Sequence, residues 1–162
     1  MFLVFSHLNR KENIKVEEYN DIRVSVIMPV YNVEKYLDQA LQSIIKQTLS
    51  NIEIIIVEDC SNDNTCMIVE KYSRIDKRIV PIYNKKNEGL INSLNKAIHI
   101  AKGKYIARMD GDDISDINRF AEQVSYLEGK DIDLVGSQCY YFYNEKTDGK
   151  EIRYPTSDKG CK

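Results

Sequence analysis

Short apolar runs alternate with stretches of helical spacing along most of the chain. Arg23–Val30 is mostly apolar and of strand length. Such runs fit a strand buried on both faces of a parallel sheet. Pro29 closes the run, because proline cannot donate to a ladder, and Tyr31 and Asn32 follow as a loop. Leu37, Leu41, Ile44 and Ile45 then share one helical stripe, with Asn32 as the expected N-cap. Glu53–Val57 is a second buried strand and runs into the polar loop 58–65. Met67, Ile68 and Tyr72 mark the apolar side of the next helix. Ile79–Tyr83 is a third strand, and Pro81 suggests an edge or irregular position for it. After a turn over 84–89, Leu90, Leu94, Ala97, Ile98 and Ala101 recur at steps of three and four. Gly103 is expected to stop that helix as its C′ residue. Lys104–Met109 is a fourth strand. Asp116 is a candidate cap for a helix with Phe120, Val124 and Leu127 inward, and Ile132–Ser137 and Tyr140–Tyr143 read as further strands.

This alternation predicts an α/β fold with a mainly parallel sheet. In such sheets ligands bind outside the carboxyl ends of the strands. The loops 29–32, 58–64 and 110–113 should therefore converge at one edge. Residues 1–21 lack clean periodicity and read as a leader or surface arm. Residues 22–143 form the domain proper, and 144–162 a C-terminal tail.

Composition narrows the class. At 162 residues the chain is one domain or part of a larger one. A hydrophobic fraction of 43% is enough for a core. A net charge of −2 gives no basic excess, so no nucleic-acid footprint is expected. Cys60, Cys66, Cys139 and Cys161 show no zinc-site spacing, and free thiols point to a reduced compartment, the cytoplasm. The apolar start Met1–Phe5 is too short for a signal-peptide core or a membrane span, and no other segment could cross a bilayer.

The chemistry concentrates in Ala107–Asp113, where Asp110, Asp112 and Asp113 fall within four positions. Like charges this close repel unless something positive joins them. Hard divalent cations take carboxylate oxygens, and Mg²⁺ uses one or two carboxylates plus substrate phosphates. A solvated acidic turn is the plainer alternative, since Asp and Gly are common in turns. Gly111 lets the backbone turn between the acids. The neighbouring loops favour a pocket. Tyr31 can stack on a base, Asp59 can accept from a base N–H, Asp110 can accept from ribose hydroxyls, and Asp112 can hold a cation bridging two phosphates. No P-loop and no Gly-x-Gly-x-x-Gly follows a strand, so phosphates would be held mainly by the metal.

The ordered set of local motifs resembles a family 2 glycosyltransferase of the GT-A fold. It comprises Val-Ser-Val-Ile-Met-Pro-Val-Tyr-Asn (24–32), Ser-Ile-Ile-Lys-Gln-Thr (43–48), Glu-Ile-Ile-Ile-Val-Glu-Asp-Cys-Ser-Asn-Asp-Asn-Thr (53–65), Asn-Glu-Gly-Leu (87–90), Ser-Leu-Asn-Lys-Ala-Ile (93–98), Ala-Lys-Gly-Lys-Tyr-Ile-Ala-Arg-Met-Asp-Gly-Asp-Asp (101–113) and Arg-Phe-Ala-Glu-Gln (119–123). The resemblance implies a Rossmann-like, mainly parallel sheet with helices on both faces. It implies a nucleotide-diphosphate sugar donor, UDP-sugar favoured, with Mn²⁺ or Mg²⁺. Pro29, Tyr31, Asp59, Asn87, Gly89, Asn95, Arg108 and Asp110 would form the nucleotide site. Asp112 would be the direct metal ligand, with Asp110 as its partner in the Asp-x-Asp pair. Asp113 would either face the donor sugar or support the turn. Glu58 stands where the family has Asp, and Cys60 where it commonly has Gly.

The resemblance also implies transfer to a glycan or lipid-linked acceptor in cell-surface polysaccharide biosynthesis. The general base lies in an acceptor half that would follow Tyr-Pro-Thr-Ser-Asp (154–158), so the chain reads as the donor-binding half. A lipid-linked acceptor would bring it to the inner face of a membrane, and an apolar face left by a missing half would favour a homo-oligomer. Three rivals remain: a donor-binding remnant or interaction module, a sugar nucleotidyltransferase, and a phospho-acceptor domain. The second would need a Gly-rich, Arg-containing loop after the first strand, and the third its acidic pair there.

Overall fold

The computed structural model describes residues 3–6, 22–130, 132–141 and 150–152. Strands β1 (Leu3–Ser6), β2 (Val24–Val30), β3 (Ile52–Glu58), β4 (Ile79–Tyr83), β5 (Tyr105–Arg108) and β6 (Leu134–Gly136) form one sheet in the order β4-β3-β2-β5-β1-β6. The β4-β3-β2-β5 part is parallel, and β1 runs antiparallel to both of its neighbours. Helices α1 (Glu34–Ile45), α2 (Thr65–Ile75) and α4 (Arg119–Glu128) pack on one face, and α3 (Leu90–Ile100) on the other. Strands β7 (Cys139–Tyr141) and β8 (Lys150–Ile152) pair antiparallel as a second, two-stranded sheet.

Alternation along the strands builds two cores. Val26, Met28, Ile54, Ile56, Tyr105 and Ala107 face α1, α2 and α4, where Phe120 is fully buried. Ile27, Ile55, Val57 and Ile106 face Ala97 of α3. Full burial of each such aliphatic chain contributes about 1.5–3 kcal/mol. Both faces are covered, so β2 and β3 read in sequence as near-continuous apolar runs.

Pro81 lies in β4, an edge strand, as the ladder rule requires. Three local expectations give way. The apolar side of α2 is Ile68 and Tyr72 as expected, joined by Val69, while Met67 is 62% exposed. Helix α3 ends at Ile100 with Ala101 as its cap, so Gly103 is no C′ residue. A Cβ on Gly103 would lie 2.5 Å from the backbone nitrogen of Ser25; the glycine serves close approach to β2. Strands β1 and β8 fall in the stretches read as arm and tail. Residues 142 and 143, expected to extend the last strand, lie outside the described residues.

Candidate functional site

Strands β2, β3 and β5 deliver their loops to the same edge. Val30 pairs with Glu58 and Ile27 with Arg108. The Asp59 amide donates to the Val30 carbonyl at 3.0 Å, and the Met109 amide to the Ile27 carbonyl at 3.0 Å. The acidic turn then passes over β2 so closely that a Cβ on Gly111 would lie 2.9 Å from Val30 Cγ1 and 3.1 Å from Val33 Cγ2. Gly111 is needed there for space.

The first two loops are tied side chain to main chain. Asn32, at φ 53°, is not the cap of α1, which is Val33. Instead the Asn32 amide donates to Ser61 Oγ at 3.0 Å, and Asn32 Oδ1 accepts from the Asn62 amide at 2.8 Å. The first amides of α1 are met from across the gap: Val33 donates to Thr65 Oγ1, and Glu34 to Asp63 Oδ2. Glu34 Oε2 returns the favour to the Asn64 amide at 2.9 Å, and Asp63 Oδ1 accepts from the Thr65 amide. This mutual capping leaves Tyr31 42% exposed at the mouth of the site, beside partly buried Pro29.

Buried Glu58 accepts from the Ser61 amide at 2.7 Å, so its longer side chain closes the loop on itself. Cys60 sits at φ 60°, a left-handed conformation that favours glycine. Cys60→Gly is therefore expected to stabilise the chain by about 0.5–1 kcal/mol in urea unfolding, because relief of this strain exceeds the extra chain entropy of glycine.

Asp59, 4% exposed, is the hub of the second cluster. Its Oδ1 accepts from Asn84 Nδ2 at 2.7 Å and from the Glu88 amide at 2.8 Å, and Oδ2 from the Gly89 amide at 2.8 Å. A carboxylate offers about four acceptor positions, so one on Oδ2 is left for a ligand N–H. Burial pushes this carboxyl up, but the bonds from Glu88, Asn84 and Gly89 outweigh it and hold it below the ordinary value. Gly89 adopts φ 84° as the cap of α3, and Asn87 is exposed beside it. Lys96 completes the cluster, reaching Asn84 Oδ1 and Glu88 Oε2. Asn95 is exposed on α3 and lines a groove with Ile82, Glu88, Asn92, Lys96 and His99.

The third cluster is the acidic turn. Arg108 forks onto Asp110 with contacts of 2.9–3.2 Å. Asp112 is exposed, with no hydrogen bond or ion pair from the described residues. Burial raises the Asp113 carboxyl, and the charges of Asp110 and Asp112 raise it further. Behind the turn lies Arg119, 5% exposed, whose Nη2 donates to the Arg108 carbonyl at 2.9 Å.

Among the described residues no three His, Cys, Asp or Glu side chains converge as a metal cage. The donor set fits instead a hard cation that takes one or two carboxylates and completes its shell with phosphates and water. Asp112 is the available carboxylate; Asp110 is already held by Arg108. Asn84, Glu88, Lys96 and Arg119 are site-shaping residues that sequence reasoning missed. Glu88, Lys96 and Arg119 fall inside the motifs at 87–90, 93–98 and 119–123; Asn84 falls in none.

The sequence model of Glycosyl transferase family 2 matches residues 25–159, and the chain belongs to that family. An uncharacterized glycosyltransferase of Haemophilus influenzae is 43% identical over 136 residues, covering 83% of this chain and 42% of that protein. Glycosyltransferase GlyG of Streptococcus pneumoniae is 37% identical over 138 residues, covering 85% and 45%. The chain thus spans less than half the length of these two relatives. The structure of S. aureus TarS 1-349 in complex with UDP matches with a TM-score of 0.62 at 31% identity, covering 67% of this chain and 32% of that one. The same TarS fragment has been solved with UDP-GlcNAc. The fold is therefore the α/β GT-A architecture. Among the described residues no helix is long and apolar enough to cross a membrane.

Proposed function

We propose that the chain supplies the donor site of a glycosyltransferase: it binds a nucleotide-diphosphate sugar, UDP-sugar favoured, together with Mn²⁺ or Mg²⁺. One observation carries this reading. An exposed aromatic, a locked carboxylate with one free acceptor and an exposed aspartate stand on three loops at one sheet edge. TarS, matched over two thirds of this chain, is solved with UDP and with UDP-GlcNAc, which supports a uridine nucleotide.

In this reading Tyr31 stacks on the base and Asp59 takes its N–H. Pro29, Asn87 and Gly89 line the base side. Asn95 borders the same groove as Glu88 and Lys96, next to the residues that fix Asp59. Asp110, held flat by the Arg108 fork, presents its outer edge to the ribose. Asp112, aided by Asp110, would hold the cation, which when bound offsets charge on the departing diphosphate as a Lewis acid. The sugar would pass to a glycan or lipid-linked acceptor.

Calorimetric titration with UDP and GDP, each with and without Mn²⁺, tests this. The wild-type chain should bind UDP more tightly with Mn²⁺, and Asp112→Asn should lose that gain by about tenfold or more, as loss of a metal ligand does. Failure to bind either nucleotide under any of these conditions would overturn the reading in favour of an interaction module.

A further inference from the structure

Arg119 is the one buried Lys or Arg among the described residues. Its guanidinium is placed by three acceptors and a ring. Nη2 donates to the Arg108 carbonyl at 2.9 Å, Nη1 lies 3.4 Å from Met109 Sδ, Nε donates to Gln123 Oε1 at 3.1 Å, and the group stacks 4.8 Å from the Phe120 ring centre. Two of those acceptors belong to the residues that immediately precede Asp110. A buried charge costs several kcal/mol in desolvation, and a core position needing only bulk would take Leu or Met. Arg119 instead places positive charge behind Asp110 and Asp113. Burial pulls the guanidinium down to about 9, while Asp113 and Asp110 act to raise it. Arg108 faces the same turn from its partly exposed side.

We infer that Arg119 is a positioning residue for the cation: its fork fixes the exit of β5 so that the acidic turn stands in its metal-binding shape before any metal arrives. This deepens the donor-site reading and rests on it. Arg119 holds the exit of β5, whereas the base end of the site is carried by the loops after β2 and β3, so cation and base binding should separate. Lysine keeps the charge but lacks the planar fork that reaches all three acceptors.

The test compares wild type, Arg119→Lys and Arg119→Met. Mn²⁺ affinity is read at saturating UDP from the paramagnetic resonance of free Mn²⁺. UDP affinity in EDTA is read by ligand-observed NMR, and folding by thermal unfolding. Arg119→Lys should stay folded and keep the wild-type UDP affinity in EDTA, while Mn²⁺ affinity falls about tenfold or more, as for other groups that orient metal ligands. Arg119→Met should lose at least as much, and if it unfolds the lysine variant decides. Unchanged Mn²⁺ affinity in a folded Arg119→Lys chain, or equal losses in both affinities, would overturn the inference. A wild-type chain that binds neither UDP nor Mn²⁺ would instead remove the donor-site reading itself.

Discussion

Asp59→Ala is expected to destabilise the chain by about 3–5 kcal/mol and to abolish UDP binding. Three donors, Asn84 Nδ2 and the amides of Glu88 and Gly89, would lose one charged acceptor. Hydrogen bonds to charged groups contribute about 1.5–3 kcal/mol each, and Asn84 is itself buried, so water replaces the loss poorly. Urea unfolding measures the stability, and amide exchange at Glu88 and Gly89 should accelerate more than exchange in β2. The pH dependence follows from the sign of the shift. The folded carboxyl is held below its ordinary value of 3.8, chiefly by Glu88, Asn84 and Gly89 acting against burial. The unfolded chain therefore takes up the proton first. Asp59's contribution is fully present at neutral pH and is lost as pH falls through the folded value. Wild type and Asp59→Ala should differ most near neutrality and converge in acid. A difference that stays constant as the pH is lowered well below the ordinary carboxylate range would show that the charge is not what matters.

Gly103→Ala is expected to cost about 3 kcal/mol or more, at the upper end of overpacking. The new methyl would lie 2.5 Å from Ser25 N, 2.7 Å from the Val24 carbonyl carbon and 2.8 Å from Ser25 Oγ. Two of these atoms are backbone of β2, the strand between β3 and β5, and cannot yield without shifting the sheet. The same glycine donates its amide to Ser25 Oγ, which is hydrogen-bonded to buried Glu53. Thermal unfolding against Gly89→Ala is the comparison. Gly89 has open space but sits at φ 84°, ψ 163°, a region open essentially to glycine alone, so that change should cost about 1–3 kcal/mol through backbone strain and not through a clash. Equal losses in the two variants would refute the steric account.

The parallel sheet was legible because β2 and β3 are buried on both faces, which forces unbroken aliphatic runs. The converging loops followed from topology alone. Strand β1 was not legible: it joins the sheet through the register of Val4 with Ala107 and Val135, main-chain pairing that leaves no mark on residue type. Asn32 and Gly103 were read by their commonest roles. The structure gives each another partner, distant in the chain, that local rules do not see. The same holds at the site. Carboxylates announce themselves in a sequence, but the Glu88 and Gly89 amides that fix Asp59 are groups every residue carries.

The three helices that begin at this edge all point their amino ends toward it, where a partial positive pole would ordinarily welcome phosphate. Here Asp63 meets the first amide of α1 and of α2, Glu34 meets the Asn64 amide, and Asp59 meets the two amides leading into α3. The macrodipoles are thus neutralised by the protein's own anions. In the donor-site reading, a pyrophosphate at this rim would therefore find the helix amino ends already taken by carboxylates, and its counter-charge would fall to side chains such as Arg108 and to a bound cation.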